Sequence, residues 1–221
     1  MKSSLIQPDP KLLPSLGKRV FLFPQLGELF SFRELAQGGK LLPFGPCKCF
    51  HFTHQGHQAS AIGGLLGAGL MLMGLEQALT AGGREFFALG QVGWIGQGDW
   101  SPGQVFALAK SHDATGSLAS LGVNPDAQSA HPWPQTKAKH LLSVAQPFGF
   151  SAKLLEQFHQ QGFSLLDMEL APAAGFLAHH QLPFSALAVV SEGFKDLEWL
   201  DQRSNPKTAH GLEQALRLLL G

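Results

Sequence analysis

The stretch FSLLDMELAPAAGFLAHHQLPFSALAVVSE, residues 163–192, decides the fold. Phe163 to Leu166 reads as a strand, Glu169 to His180 as a helix and Phe184 to Val190 as a second strand. Strands alternating with helices imply a mostly parallel or mixed sheet covered on both faces.

The alternation extends in both directions. Ser151 can cap a helix over Ala152 to Gln161 that Gly162 ends, and Leu141 to Ala145 is strand-like before it. Gly103 to Lys110 is a strand. Glu85 to Leu89 is a buried strand leading into a glycine-rich turn, Gly90-Gln91-Val92-Gly93, and the carboxyl ends of strands are where α/β sheets hold ligands. Apolar residues recur at helical spacing from Gly63 to Ala81, closed by Gly82-Gly83. Lys48 to Ala61 reads as a hairpin turning at Gln55-Gly56, and Arg19 to Phe23 as a strand closed by Pro24. Leu212 to Leu220 is an amphipathic closing helix. Gly122 to Gln135 has three prolines and no period, so it is a loop long enough for a lid. No repeat divides the chain, and residues 1–221 form one domain in this reading.

Composition narrows the function classes. Sixteen basic residues balance sixteen acidic ones and only 14% of residues are charged, which argues against nucleic acid or an anionic membrane as partner. Hydrophobic residues reach 44%, with 17 Phe and no Tyr, so the chain has apolar surface to hide and a homo-oligomer is expected. Pro8 and Pro10 stand where an export signal needs an apolar run, which gives a cytoplasmic expectation. Ala59 to Leu75 is too short to span a membrane and carries five glycines, and its Gly63-x-x-x-Gly67 run reads as a close-packing helix face. Cys47 and Cys49 read as free thiols. The histidines at 51, 54 and 57 fall on different arms of the hairpin, so no metal site is assigned, and His179-His180 suits a helix end.

Three groups of residues carry a resemblance. The first is Asp167-Met168-Glu169-Leu170-Ala171, followed by Leu182-Pro183-Phe184 and by Val189-Val190-Ser191-Glu192. The second is Ala88-Leu89-Gly90-Gln91-Val92-Gly93 with Gly98-Asp99 after it, and the third is the Gly63-Gly64 opening of the preceding helix. In this order and spacing, from about Val20 to Glu192, they resemble the nucleoside phosphorylase and nucleosidase superfamily. The resemblance implies a three-layer α/β/α fold with a mixed central sheet. It also implies cleavage of the N-glycosidic bond of a purine-like nucleoside, with no metal and no organic cofactor.

Breaking that bond builds an oxocarbenium-like ribosyl cation, so the site must hold the sugar and set negative charge beside it. Glu169 suits the ribose hydroxyls and Met168 the sugar's apolar face; the competing reading is a helix-capping Glu169 beside a core Met168. Glu192 stands where the superfamily has the Asp that protonates the leaving base. One extra methylene makes it a shifted acid, a match to another leaving group, a mark of lost activity, or a plain loop carboxylate. Ser191 precedes it in the binding set. The phosphorylases' arginine before the glycine turn is replaced by Ala88, and Gln91 and Val92 replace the hydroxyl residue of the turn, with Gly90 and Gln91 taken as substrate contacts. Phe23-Pro24-Gln25-Leu26-Gly27-Glu28 replaces a phosphate loop, and Glu28 falls where hydrolytic members carry the carboxylate that activates water. A helix-surface glutamate is the other reading. Phe148 falls where nucleosidases stack an aromatic on the base, and a core phenylalanine is its alternative. Hydrolysis is therefore expected before phosphorolysis. A non-catalytic nucleoside-binding relative, or a phosphorylase with a rearranged phosphate site, stands as the alternative.

Overall fold

The computed structural model describes residues 13–145, 151–195 and 198–221. In chain order the strands are β1 (Arg19–Phe23), β2 (Leu42–Phe44), β3 (Cys47–His54), β4 (His57–Gly63), β5 (Glu85–Trp94), β6 (Val105–Asp113), β7 (Asp126–Gln128), β8 (Ala138–Ser143), β9 (Leu165–Asp167), β10 (Phe184–Lys195) and β11 (Glu198–Asp201). The helices are α1 (Leu26–Leu35), α2 (Ala68–Thr80), α3 (Ser117–Ser120), α4 (Ala152–Gln160), α5 (Leu170–His179) and α6 (Pro206–Leu220).

One mixed sheet runs in the order β11-β10-β6-β8-β9-β5-β1-β4-β3-β2, with β7 paired to β6. Because β10 also pairs with β5 in parallel, the strands β5, β10, β6, β8 and β9 close a circuit. Closure removes edges in the middle of the sheet. The Ala186 to Val190 run explains the position of β10: it is fully buried on both faces, as suits a central strand between parallel β5 and antiparallel β6.

Helices cover both faces. Met71, Leu75 and Ala78 of α2 pack with Leu170, Ala174 and Leu177 of α5 over one face, in the cluster that holds Leu22, Ala88 and Val190. On the other face, Leu29 and Phe32 of α1 join Leu216 and Leu219 of α6 over Phe21, Phe23, Phe52 and Leu187. This second layer absorbs much of the phenylalanine. Phe21 stacks on Phe87 at 5.0 Å and packs against Phe32 and Phe52, both at 5.3 Å between ring centroids. Each such ring contributes ~1.5–3 kcal/mol by leaving water. The arrangement is the expected three-layer α/β/α fold with a mixed sheet.

Three expectations are corrected. Gly90 to Gly93 is not a turn: β5 continues to Trp94, because β10 pairs with it along its whole length and satisfies its backbone. Helix α2 starts at Ala68, not Gly63, since Gly63 closes β4 opposite Phe23 and Gly64 and Gly67 take positive φ. The loop at 122–135 is no lid over the carboxyl ends of the strands. Its β7 segment pairs with β6, and the Trp133 indole donates to the Leu218 carbonyl at 3.0 Å, pinning it against α6.

Several elements were not anticipated: β2, α3, β7, α1 and the β10–β11 hairpin. The hairpin carries Trp199 and brings Asp201 opposite Glu192. Among the described residues, no helix is long and apolar enough to cross a membrane.

Candidate functional site

A cavity of about 390 Å³ opens beyond the carboxyl ends of β1, β5 and β10. Its lining includes Met168 and Glu169 from the β9–α5 junction, Gln91 from β5, Ser191 and Glu192 from β10, and Asp167. Parallel strands deliver these residues together: β5 and β10 run side by side, so Gln91 lies beside Val189 and Gly93 beside Glu192.

Glu169 stands at the position before α5, with no capping bond of its own to that helix. Asp167 does that work instead, its Oδ2 accepting from the Leu170 N–H at 2.7 Å. The Glu169 carboxylate is thereby free to turn across the cavity. Its Oε1 accepts from the Gly67 N–H at 2.6 Å and its Oε2 from the Met168 N–H at 3.2 Å. Gly67 has φ +81, a left-handed conformation open to glycine, and this aims its N–H at the carboxylate. A carboxylate has about four lone-pair sites, so acceptor capacity remains for hydroxyls of a ligand. Burial raises the Glu169 carboxyl above its usual range, while the two backbone donors pull it down.

Asp167 is a site residue that the motif contained and the sequence reading left unassigned. Ser143 donates a short hydrogen bond to its Oδ1 and in turn accepts from the Ala171 N–H at 3.0 Å. Burial, followed by the nearby Glu169 charge, raises the Asp167 carboxyl well above the usual range. Two carboxyls two residues apart in a shielded pocket cannot both ionise cheaply.

Glu192 is half-buried and sits in β10 rather than on a loop. A register shift between Val190 and Glu192 makes Ser191 the extra residue of a bulge, a device that re-aims side chains at a strand end. The Trp199 indole N–H donates to Glu192 Oε2 at 3.2 Å. Burial raises the Glu192 carboxyl, against the pull of the Arg203 charge and the Trp199 bond. Arg203 also lines the cavity, with its guanidinium engaged by both oxygens of Asp201. Ser191 is fully buried and its hydroxyl has no hydrogen-bond partner among the described residues.

Glu28 lies behind the lining rather than in it. It is only 5% exposed, so it is not a helix-surface residue. Its Oε2 accepts from the Gln25 N–H at 3.3 Å and its Oε1 from the Gln91 amide at 3.2 Å. Full burial pushes its carboxyl up to about 8, and the Glu169 charge adds to the rise.

Gly90 does not reach the cavity. A Cβ built there would meet Leu170 Cδ1 at 3.2 Å, so this glycine serves the packing of α5 on the sheet, not substrate contact. Phe148 lies outside the described residues. Gly67, Trp199 and Arg203 had no sequence signal pointing here, since the first read as a packing glycine and the others follow β10 without periodicity. Among the described residues no group of three or more His, Cys, Asp or Glu is arranged to hold a metal ion. His51 instead bonds Ser60 and His54 bonds Arg19, while Cys47 and Cys49 are free buried thiols.

No family model and no curated protein sequence matches this chain. Solved structures do. The purine nucleoside phosphorylase of Toxoplasma gondii, determined with immucillin-H, superposes with a TM-score of 0.81 at 13% identity, over 100% of this chain and 96% of that one. The 5′-methylthioadenosine/S-adenosylhomocysteine nucleosidase of Campylobacter jejuni gives 0.77 at 11% identity, over 92% and 97%. The futalosine hydrolase of Helicobacter pylori gives 0.70 at 15% identity, over 91% and 93%. At these identities the likeness is one of fold. The chain has the fold of the nucleoside phosphorylases and nucleosidases, in a divergent form.

Proposed function

We propose that this protein hydrolyses the N-glycosidic bond of a purine-like nucleoside, without metal or organic cofactor. The observation that carries the reading is the Glu169 carboxylate. It is fixed by the Gly67 and Met168 N–H groups and faces the same cavity as Glu192. Glu169 accepts from the ribose hydroxyls and stabilises the cationic sugar as it forms, and Met168 supports the ring.

Glu192 is the acid. Burial keeps its carboxyl protonated to higher pH than an ordinary glutamate, and the Trp199 bond to Oε2 leaves the second oxygen for the leaving base. As the C1′–N bond breaks, its electron pair stays on the base nitrogen, which takes the Glu192 proton. Water then bonds to C1′ and gives its own proton to Glu28, whose Oε1 accepts from the Gln91 amide at the cavity wall.

Hydrolysis is favoured over phosphorolysis on charge. The Glu169 carboxylate faces the cavity, while Arg203, the one cationic side chain among the described lining residues, is already held by Asp201. A phosphate dianion would enter against this field.

The test is a panel of purine nucleosides incubated with the protein, with and without phosphate, and scanned for released base. Release in plain buffer supports the hydrolase, and release only with phosphate identifies a phosphorylase. Thermal stabilisation by nucleosides without turnover identifies a non-catalytic binding protein. The raised Glu28 carboxyl favours that last reading near pH 7, because only its ionised minority can take a proton from water there. A homo-oligomer is part of the proposal. Leu26 and Phe30 of α1 and Leu66 at the cavity edge are exposed large apolar residues for such a contact, and light scattering measures it.

A further inference from the structure

A second cavity, of about 680 Å³, lies at the opposite end of the sheet. It opens where β1, β5 and β10 begin, at Arg19, Glu85 and Ser185, and α6 and the Trp133 loop wall it. Glu85 and Gln91 are six residues apart on one strand, which separates the two cavities by ~20 Å. Nothing in the proposed reaction uses it.

The second cavity has an aromatic corner and a set of unspent donors. Trp133 and Phe87 meet edge to face at 6.5 Å, with the indole fixed by its bond to the Leu218 carbonyl. Ser185 is only 6% exposed and faces the cavity, and its hydroxyl bonds no described residue. That hydroxyl is open to the cavity and can bond a ligand there.

Two guanidinium groups border the same space. Arg19 spends Nε on Glu85 at 2.7 Å and Nη1 on Gln55 and His54, which leaves Nη2 open among the described residues. Arg217 spends Nε and Nη2 on Glu213 and leaves Nη1. The carboxylate that faces the cavity, Glu85, already holds Arg19. The Arg217–Glu213 pair is largely exposed, so it is weak and Arg217 can turn inward.

We propose that this cavity is a second ligand site, for a small flat aromatic ring that carries a carboxylate. The ring lies in the Trp133 and Phe87 corner, and the carboxylate takes the open nitrogens of Arg217 and Arg19 together with the Ser185 hydroxyl. An aromatic face suits the ring, and guanidinium matches a carboxylate in plane and charge. The volume falls in the ordinary range for small-molecule sites.

The test is calorimetric titration of the whole protein with 2-naphthoate, with neutral 2-naphthamide as control. Saturable 2-naphthoate binding is expected, with the amide at least ~10-fold weaker because it forgoes the charge-assisted bonds. Arg217→Gln lies on an exposed part of α6 and leaves the fold intact. It should weaken 2-naphthoate binding by ~10-fold or more, and Ser185→Ala by several-fold. Glu169→Gln, in the other cavity, should leave the affinity unchanged. No binding at millimolar 2-naphthoate, equal binding of the amide, full affinity in Arg217→Gln, or loss of binding in Glu169→Gln would each overturn the proposal.

Discussion

Replacing Glu28 by Gln should stabilise this protein at neutral pH, and the gain should grow with pH in a defined window. Burial raises the Glu28 carboxyl from 4.5 to about 8 in the folded chain, while the unfolded chain ionises it near 4.5. A group raised on folding gives its full stability below the unfolded value and loses it as pH climbs to the folded one. Each pH step across that window costs ~1.36 kcal/mol, so at pH 7 the wild type has lost about 3 kcal/mol and near pH 8 about 4 kcal/mol. Gln is nearly isosteric and neutral, and escapes the loss. Its oxygen can still accept from the Gln25 N–H and its amide can donate to the Gln91 oxygen if that side chain flips, so the remaining bonding cost is at most ~1 kcal/mol.

Urea unfolding of both proteins from pH 4.5 to pH 8.5 gives the difference curve. It should be near zero or slightly negative at pH 4.5 and reach about 2–3 kcal/mol in favour of Glu28→Gln at pH 7. The Tm should rise by ~4–12 °C at that pH, at the ~2–4 °C per kcal/mol usual for this chain length. A pH-independent difference, or a variant less stable than wild type at pH 7, refutes the reasoning, since Glu28 would then be ionised in the fold. The same residue sets the sign of the rate profile. If Glu28 takes the proton of water, hydrolysis should climb toward pH 8 as Glu28 ionises and fall as Glu192 loses its proton, and Glu28→Gln should abolish the rising limb while remaining folded.

Glu169→Gln should keep the fold and lose nucleoside affinity and turnover, because the amide offers one acceptor oxygen in place of two and removes the charge opposite the ribosyl cation; unchanged titration and kinetics would sink the ribose assignment. Glu192→Ala should cut base release by ~10²–10⁴-fold with a smaller change in KM, measured by steady-state kinetics. Glu192→Asp withdraws the carboxyl from the Trp199 N–H, so a site built for Glu should lose activity there too, whereas a gain would identify a degenerate acid position. Gly93→Ala should destabilise by ~1–3 kcal/mol in denaturant titration, because a Cβ there falls 2.4 Å from Trp199 Cη2; it should also slow turnover by displacing the indole that holds Glu192, and a neutral substitution would contradict the packing of β11 over β5.

The sequence by itself determined the fold class. Periodicity is a local property, and the runs at Phe163 to Leu166, Glu169 to His180 and Phe184 to Val190 reported one strand, one helix and one strand wherever the rest of the chain lay. The hairpin at Gln55-Gly56 and the Ser151 cap were legible for the same reason, since turn and cap chemistry act over three or four residues. Met168, Glu169, Gln91, Ser191 and Glu192 could be chosen from a motif pattern, and they meet in one cavity because β5 lies between parallel β10 and antiparallel β9, whose end carries Met168 and Glu169.

Only the tertiary structure decided what depends on distant partners. Gly90 to Gly93 has turn composition but extends as strand, because β10 supplies hydrogen bonds along it from about a hundred residues away. Glu169 reads locally as a helix cap. It becomes a cavity carboxylate because Asp167 takes over the capping bond and Gly67, 102 residues distant in sequence, presents its N–H. The neutrality of Glu28 has no signature in Gln25-Leu26-Gly27-Glu28, since it arises from burial beneath Gln91 and from the charge of Glu169, which the sheet alone brings near. Electrostatics and packing are set by the neighbours that folding assembles, and a pattern of three or four residues along the chain does not contain them.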